Sequence, residues 1–90
     1  MDALASIKLY GAARCHKTLY YQWSLDDMGL PYEFLDVEHD KANAEALRGL
    51  YANGKLNFPT ITIGKKKLRN PKKEVLIKWL DKLIPNKNSI

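Results

Sequence analysis

Leu9-Tyr10-Gly11-Ala12-Ala13-Arg14-Cys15-His16-Lys17-Thr18 sets the only cysteine of a 90-residue chain between an apolar, strand-like run and a helical pattern. Upstream, residues 6–10 alternate apolar and polar side chains and stop at Gly11, as a short strand does before a loop. Downstream, Thr18, Tyr21, Leu25 and Met28 recur at helical spacing until Gly29-Leu30-Pro31 ends the run. A thiol at the start of a helix meets unpaired backbone N–H groups and the positive end of the helix dipole, and both favour the nucleophilic thiolate. Arg14, His16 and Lys17 flank the cysteine, and cations that face a thiol lower its pKa further. Cys15 is therefore the candidate reactive centre. A lone cysteine is more often an inert, buried, small apolar residue, so the assignment depends on what surrounds it.

Outward from this stretch, residues 32–37 are rich in aromatic and branched side chains and read as a second strand. A helix between two strands makes them parallel neighbours in one sheet. Asp40 is placed to cap a helix through Leu47, Leu50 and Tyr51 that ends near Asn53-Gly54. The acidic and histidine cluster before it, Asp36, Glu38, His39 and Asp40, reads as loop and cap. In Asn57-Phe58-Pro59-Thr60-Ile61-Thr62-Ile63, the proline belongs at the first position of a strand. Gly64-Lys65-Lys66 supplies a turn and Lys67-Leu68-Arg69 a short returning strand. Asn70-Pro71 reads as a helix start, Asn as N-cap and Pro at the first helical position, with Val75, Leu76, Trp79, Leu80 and Leu83 on one face. Pro85 stops that helix and residues 86–90 form a polar, fraying tail. Tyr20 and Trp23 lie off the first helix's stripe and either pack under a loop, the favoured assignment, or face a partner.

Ninety residues suffice for one domain with a modest core, here about 6–84 with a tail at 85–90. A content of 46% hydrophobic and 28% charged residues is that of a globular chain and not of a disordered one. One cysteine cannot make an internal disulfide, which points to a reducing compartment, the cytoplasm. Met1 to Ser6 shows neither a basic leader nor a long apolar run, so no membrane association is expected. The net charge of +5 is unevenly placed: residues 65–90 hold nine Lys/Arg against two acids. Such an excess attracts anions, but Lys72, Lys73, Lys78 and Lys82 alternate with an apolar stripe and read as a solvated helix face. No nucleic-acid motif or stacking platform is evident, and a monomer is expected.

The order β-α-β-α-β-β-α, with a cysteine opening the first helix and X-Pro-Thr ahead of the third strand, resembles the thioredoxin fold, specifically glutaredoxin-like proteins, over roughly residues 6–84. The resemblance implies an α/β fold with a four-stranded mixed sheet flanked by three helices. It also implies a site: Cys15 as the attacking thiolate, Pro59 in the cis form, and Phe58 offering its backbone to an extended peptide or to glutathione. Where the family carries C-x-x-C or C-x-x-S, this chain has Cys15-His16-Lys17-Thr18. Without a second thiol an internal disulfide cannot close, so only monothiol chemistry on mixed disulfides with a low-molecular-weight thiol remains. Thr18, one turn from the sulfur, can donate a hydrogen bond to the thiolate, cap the helix or bond to backbone.

Two departures bear on the small thiol. Glutathione-binding members usually carry a lysine three residues before the cysteine, where this chain has Ala12. They also place Gly-Gly before the last helix, where this chain reads Leu68-Arg69-Asn70-Pro71, similar to the mycoredoxin-type branch. Arg69, Asn70 and the last helix's N-terminus are then expected to form an anion-friendly corner, with Lys55 and Arg14 adding charge.

The leading expectation is thus a monothiol disulfide oxidoreductase acting on mixed-disulfide proteins. A non-catalytic thioredoxin-fold binding module is the alternative. Iron–sulfur carriage ranks lower, because the C-G-F-S motif and the glutathione anchors are missing. No metal site is expected either: Cys15, His16 and His39 offer three ligands, two of them sequence neighbours.

Overall fold

The computed structural model describes residues 6–84. Expectations for Pro85, for the tail and for residues 1–5 lie outside these. The described chain runs β1 (Ile7–Gly11), α1 (His16–Asp27), β2 (Glu33–Asp36), α2 (Lys41–Gly49), β3 (Thr60–Ile63), β4 (Lys66–Arg69) and α3 (Lys73–Leu83). This is the expected βαβαββα order.

The strands form one sheet in the order β2-β1-β3-β4. β1 and β2 are parallel, with Gly11 opposite Asp36. β3 runs antiparallel to β1, and β4 antiparallel to β3. Because side chains alternate along a strand, the sheet sorts its residues onto two unlike faces. Ile7, Leu9, Ile61, Ile63 and Leu68 meet Tyr21 and Leu25 of α1 and Leu76 and Leu80 of α3 in the larger core. Tyr10 and Val37 meet Ala44 and Leu47 of α2 in a smaller one. Leu9, Leu25, Leu47, Ile61, Leu76 and Leu80 are wholly buried. Each contributes roughly 1.5–3 kcal/mol relative to exposure.

The helix ends follow local chemistry where the sequence supplies it. α1 closes in a Schellman arrangement: the Leu30 N–H reaches the Leu25 carbonyl at 3.1 Å and the Gly29 N–H the Asp26 carbonyl at 3.0 Å. Gly29 takes the left-handed conformation, φ 70°, that this motif needs and that favours glycine. Asp40 caps α2 as expected, its carboxylate accepting the Asn43 N–H at 3.1 Å.

Four expectations are corrected here. α2 stops at Gly49, a turn early, because Leu50 and Tyr51 N–H groups bond three residues back and tighten into a separate turn whose left-handed residue is Gly54. α3 begins at Lys73 with Lys72 as N-cap, not at Asn70. Asn70 has φ 46°, outside the geometry of an N-cap, because its amide is turned back towards α1. Tyr20 and Trp23 do not pack beneath a loop: they are 42% and 72% exposed. The α1 face towards the sheet is already filled by Thr18, Tyr21, Ser24 and Leu25. Val75, placed on the apolar stripe of α3, is likewise exposed.

Candidate functional site

Tyr10 stands opposite Thr60 across β1 and β3, so Gly11 and Pro59 occupy the same end of neighbouring strands. The Val37 N–H bonds to the Gly11 carbonyl at 3.0 Å, which brings the loop after β2 to that end as well. The loops that follow β1 and β2 and the one that precedes β3 therefore meet at one end of the sheet, where His16, Lys17 and Thr18 open α1 and Arg69 closes β4.

Cys15 is the N-cap of α1, with an extended backbone of φ −86° and ψ 122°. Its own N–H bonds to the Ala12 carbonyl at 3.0 Å, and its carbonyl receives the Leu19 N–H at 3.0 Å, closing the first turn. The side chain is half-buried and free of any disulfide. The neutral thiol makes no cap hydrogen bond. Burial pushes the Cys15 thiol up, but the backbone N–H and hydroxyl of Thr18, the N–H of Lys17 and then the Lys17 charge outweigh it, and the thiol titrates below its ordinary value. These are the donors of a helix start, which gain most when the sulfur becomes an anion.

Thr18 is the support of this loop. It is wholly buried, and its hydroxyl oxygen accepts the Ala12 N–H at 3.2 Å. A hydroxyl that accepts from backbone retains its own proton to offer the sulfur, so two of the three roles left open by the sequence coexist. Gly11 makes this possible: a Cβ there would lie 2.4 Å from the Thr18 hydroxyl oxygen. Only glycine allows Thr18 to sit so close to the strand.

The flanking cations differ. Lys17 acts on the thiol through its charge and its N–H. Arg14 turns to Glu38, at 2.8 Å through Nε and 2.5 Å through a terminal nitrogen. That hydrogen bond and charge raise the Arg14 pKa, with the thiolate as its weakest partner. Glu38, which reads in sequence as mere loop, thus holds the Arg14 guanidinium, and Cys15 comes after it among the partners of that charge. His16 is exposed on the first turn of α1.

Across the site the Phe58–Pro59 peptide bond is cis. Pro59 is buried and its carbonyl receives the Asn70 N–H at 2.9 Å. Phe58 packs against the smaller core, and its own N–H and C=O make no hydrogen bond among the described residues. The loop before it is held by a relay that sequence reading missed. The Tyr51 hydroxyl donates to the Thr60 hydroxyl at 2.8 Å, and Thr60 donates to the Asn57 carbonyl at 2.5 Å. Lys55, in that loop, is exposed.

Arg69 is exposed at the end of β4. Asn70 is committed: its side-chain carbonyl accepts the Tyr21 O–H at 3.2 Å, and the Pro71 carbonyl accepts the same O–H at 2.5 Å. The corner expected from Arg69, Asn70 and a helix N-terminus is therefore looser than the sequence implied. Asn70 serves as a strut between α1 and the approach to α3, and the helix start lies two residues further on. Burial pushes the Tyr21 hydroxyl up to about 12. Among the described residues no group of three or more His, Cys, Asp and Glu is placed to hold a metal ion.

No family model matches the sequence, and no curated protein resembles it at the sequence level. Solved structures do. The thioredoxin-like protein BC3987 superposes with a TM-score of 0.70 at 25% identity, covering 81% of this chain and 97% of that one. The chain has a glutaredoxin-like thioredoxin fold. A glutaredoxin from Archaeoglobus fulgidus gives a TM-score of 0.68 at 17% identity over 90% of this chain and 87% of its own. The buckwheat glutaredoxin, solved as a glutathione complex, gives 0.68 at 14% identity over 96% and 82%. The two corrected helix ends leave the site in place: α2 and α3 differ from expectation by about a turn or less, while the Cys15 and Pro59 loops remain at one end of the sheet.

Proposed function

We propose that the protein is a glutaredoxin-like thiol–disulfide oxidoreductase that works through Cys15 alone, as a monomer in a reducing cytoplasm. The observation that carries this reading is the half-buried Cys15 thiol at the start of α1, held below its ordinary pKa by Thr18 and Lys17 against the opposing effect of burial.

In the reaction, the Cys15 thiolate attacks the small-thiol sulfur of a protein mixed disulfide. A bond forms between Cys15 and the small thiol as the protein's S–S bond breaks. The leaving protein sulfur keeps the electron pair and takes up a proton. A second small-thiol thiolate then attacks the sulfur bound to Cys15, forms the small-thiol disulfide and releases the Cys15 thiolate. Phe58, with neither backbone group engaged, supports strand-like pairing with the extended part of the substrate. Glutathione fits as the small thiol only in part. Ala12 is buried, 1% exposed, where an ammonium would be needed, which leaves Arg69 and Lys55 as cations for its carboxylates.

The decisive test is the pH dependence of Cys15 alkylation in the folded protein against an unfolded control. A titration below the unfolded value supports the reading. One at or above it, or reaction only after unfolding, overturns it. The free backbone of Phe58 also favours a second reading, a binding module, recognised by peptide capture that Cys15→Ser leaves unchanged.

A further inference from the structure

At the other end of β1 from Cys15, the sheet face covered by α2 is left open. α2 spans nine residues and shields Tyr10, but not the start of the strand. The result is a cleft of about 330 Å³ between β1, β3, the β3–β4 turn and the end of α2, lined by Ser6, Lys8, Tyr10, Thr62, Lys65 and Lys67 together with Leu50 and Gly64. Lys8, Thr62 and Lys67 lie in one cross-strand row, Lys8 opposite Thr62 and Thr62 opposite Lys67. Two strand spacings of about 4.8 Å separate the stems of the two lysines. Lys65 lines the same cleft from the turn that joins β3 to β4.

Every polar side chain on this lining can donate a hydrogen bond, and none is a carboxylate. The nearest acid by register is Glu33, beside Lys8 on β2, on the side away from Thr62. Lys67 is held in place, its ammonium donating to the Leu50 carbonyl at 2.6 Å and lying 4.2 Å from the centre of the Tyr51 ring. Tyr10 and Thr62 are 6% and 7% exposed, and neither hydroxyl has a partner among the described residues. Among the described residues no fully buried side-chain polar atom is left unpaired, so both hydroxyls open onto the cleft that they line. Three like charges gathered around two unpartnered hydroxyls repel one another and favour a multivalent anion with several acceptor oxygens.

The geometry points to a second ligand site, independent of Cys15, that takes the diphosphate group of a small molecule, with Lys8, Lys65 and Lys67 neutralising the charge and Thr62 and Tyr10 donating to the phosphate oxygens. The chain's basic excess, which reads in sequence as a solvated helix face, is in part this cleft.

The test is calorimetric titration of the intact protein with inorganic pyrophosphate at fixed physiological ionic strength, with sulfate as comparison. Pyrophosphate is expected to bind more tightly than sulfate. Lys8→Gln, Lys65→Gln and Thr62→Val should each weaken it, the lysine changes by about tenfold, whereas Lys78→Gln on α3 should change it by less than about twofold. Circular dichroism confirms that each variant is folded, and Cys15→Ser should bind as the native chain does, which separates this site from the proposed oxidoreductase. ADP binding equally well assigns the free phosphate chain, and tighter ADP binding assigns a nucleotide; both support the site. Equal losses in Lys78→Gln, no preference over sulfate, or RNA binding that strengthens with length while pyrophosphate does not compete would overturn it.

Discussion

Thr18 carries more of the candidate site than any residue except the cysteine. Its oxygen accepts the Ala12 N–H while its proton remains for the sulfur. Thr18→Val keeps the shape but removes both interactions. It should raise the alkylation pKa of Cys15 and lower stability by about 1–3 kcal/mol, since a buried N–H is left unpaired; alkylation rate against pH and urea unfolding read the two effects separately. Gly11→Ala drives a methyl into Thr18 and should cost about 1–3 kcal/mol. Thermal melts of Gly11→Ala in the Thr18→Ala background should show a smaller loss than in the native one, because the clashing atom is gone. Lys17→Ala is expected to raise the Cys15 pKa, and Arg14→Ala to change it less, because Arg14 is paired with Glu38. At this scale the cysteine and its helix start are legible in the sequence, since a cap is a local device. Glu38 is not, because the parallel pairing of β1 with β2 brings it to Arg14 from 24 residues away.

Between elements, the Tyr21 hydroxyl joins α1 to the turn before α3 through Asn70 and Pro71. Tyr21→Phe should cost about 0.5–1.5 kcal/mol, read as a lower urea midpoint with unchanged slope. The pH dependence follows from the burial that raises the Tyr21 hydroxyl to about 12 from the ordinary 10. A raised folded-state pKa means that the unfolded chain loses its proton first. Stability from this group is therefore fully present below about pH 10 and is lost as pH rises towards about 12. Unfolding measured across that window should show the fall, and Tyr21→Phe should flatten it. The periodicity of α1 identified Tyr21 as inward-facing, but not its partner. Asn70-Pro71 carries the signature of a helix start, and the tertiary bond from Tyr21 overrides that local preference.

For the molecule as a whole, alternation along β1, the branched runs of β2 and β3 and the helical stripes were enough to place seven elements in order and to pair β1 with β2 and β3 with β4, because each pattern records which face is buried; the joining of the two pairs into one four-stranded sheet was implied by the family resemblance. What they do not record is how far a helix reaches. α2 covers part of its face, and Trp23 stays 72% exposed on the outside of α1. Acrylamide should quench Trp23 readily, and Trp23→Gln should alter stability by no more than about 0.5 kcal/mol. No helix among the described residues is long and apolar enough to cross a membrane. β4 closes one side of the sheet, and Lys66, Lys67 and Arg69 make up most of it. A strand with unpaired backbone groups along one side invites a second chain to join it, and a row of positive charges is the common defence. The same lysines thus act as a colloidal guard: acetylation, which erases their charge without shortening them, would leave an adhesive border along which copies could pair strand to strand.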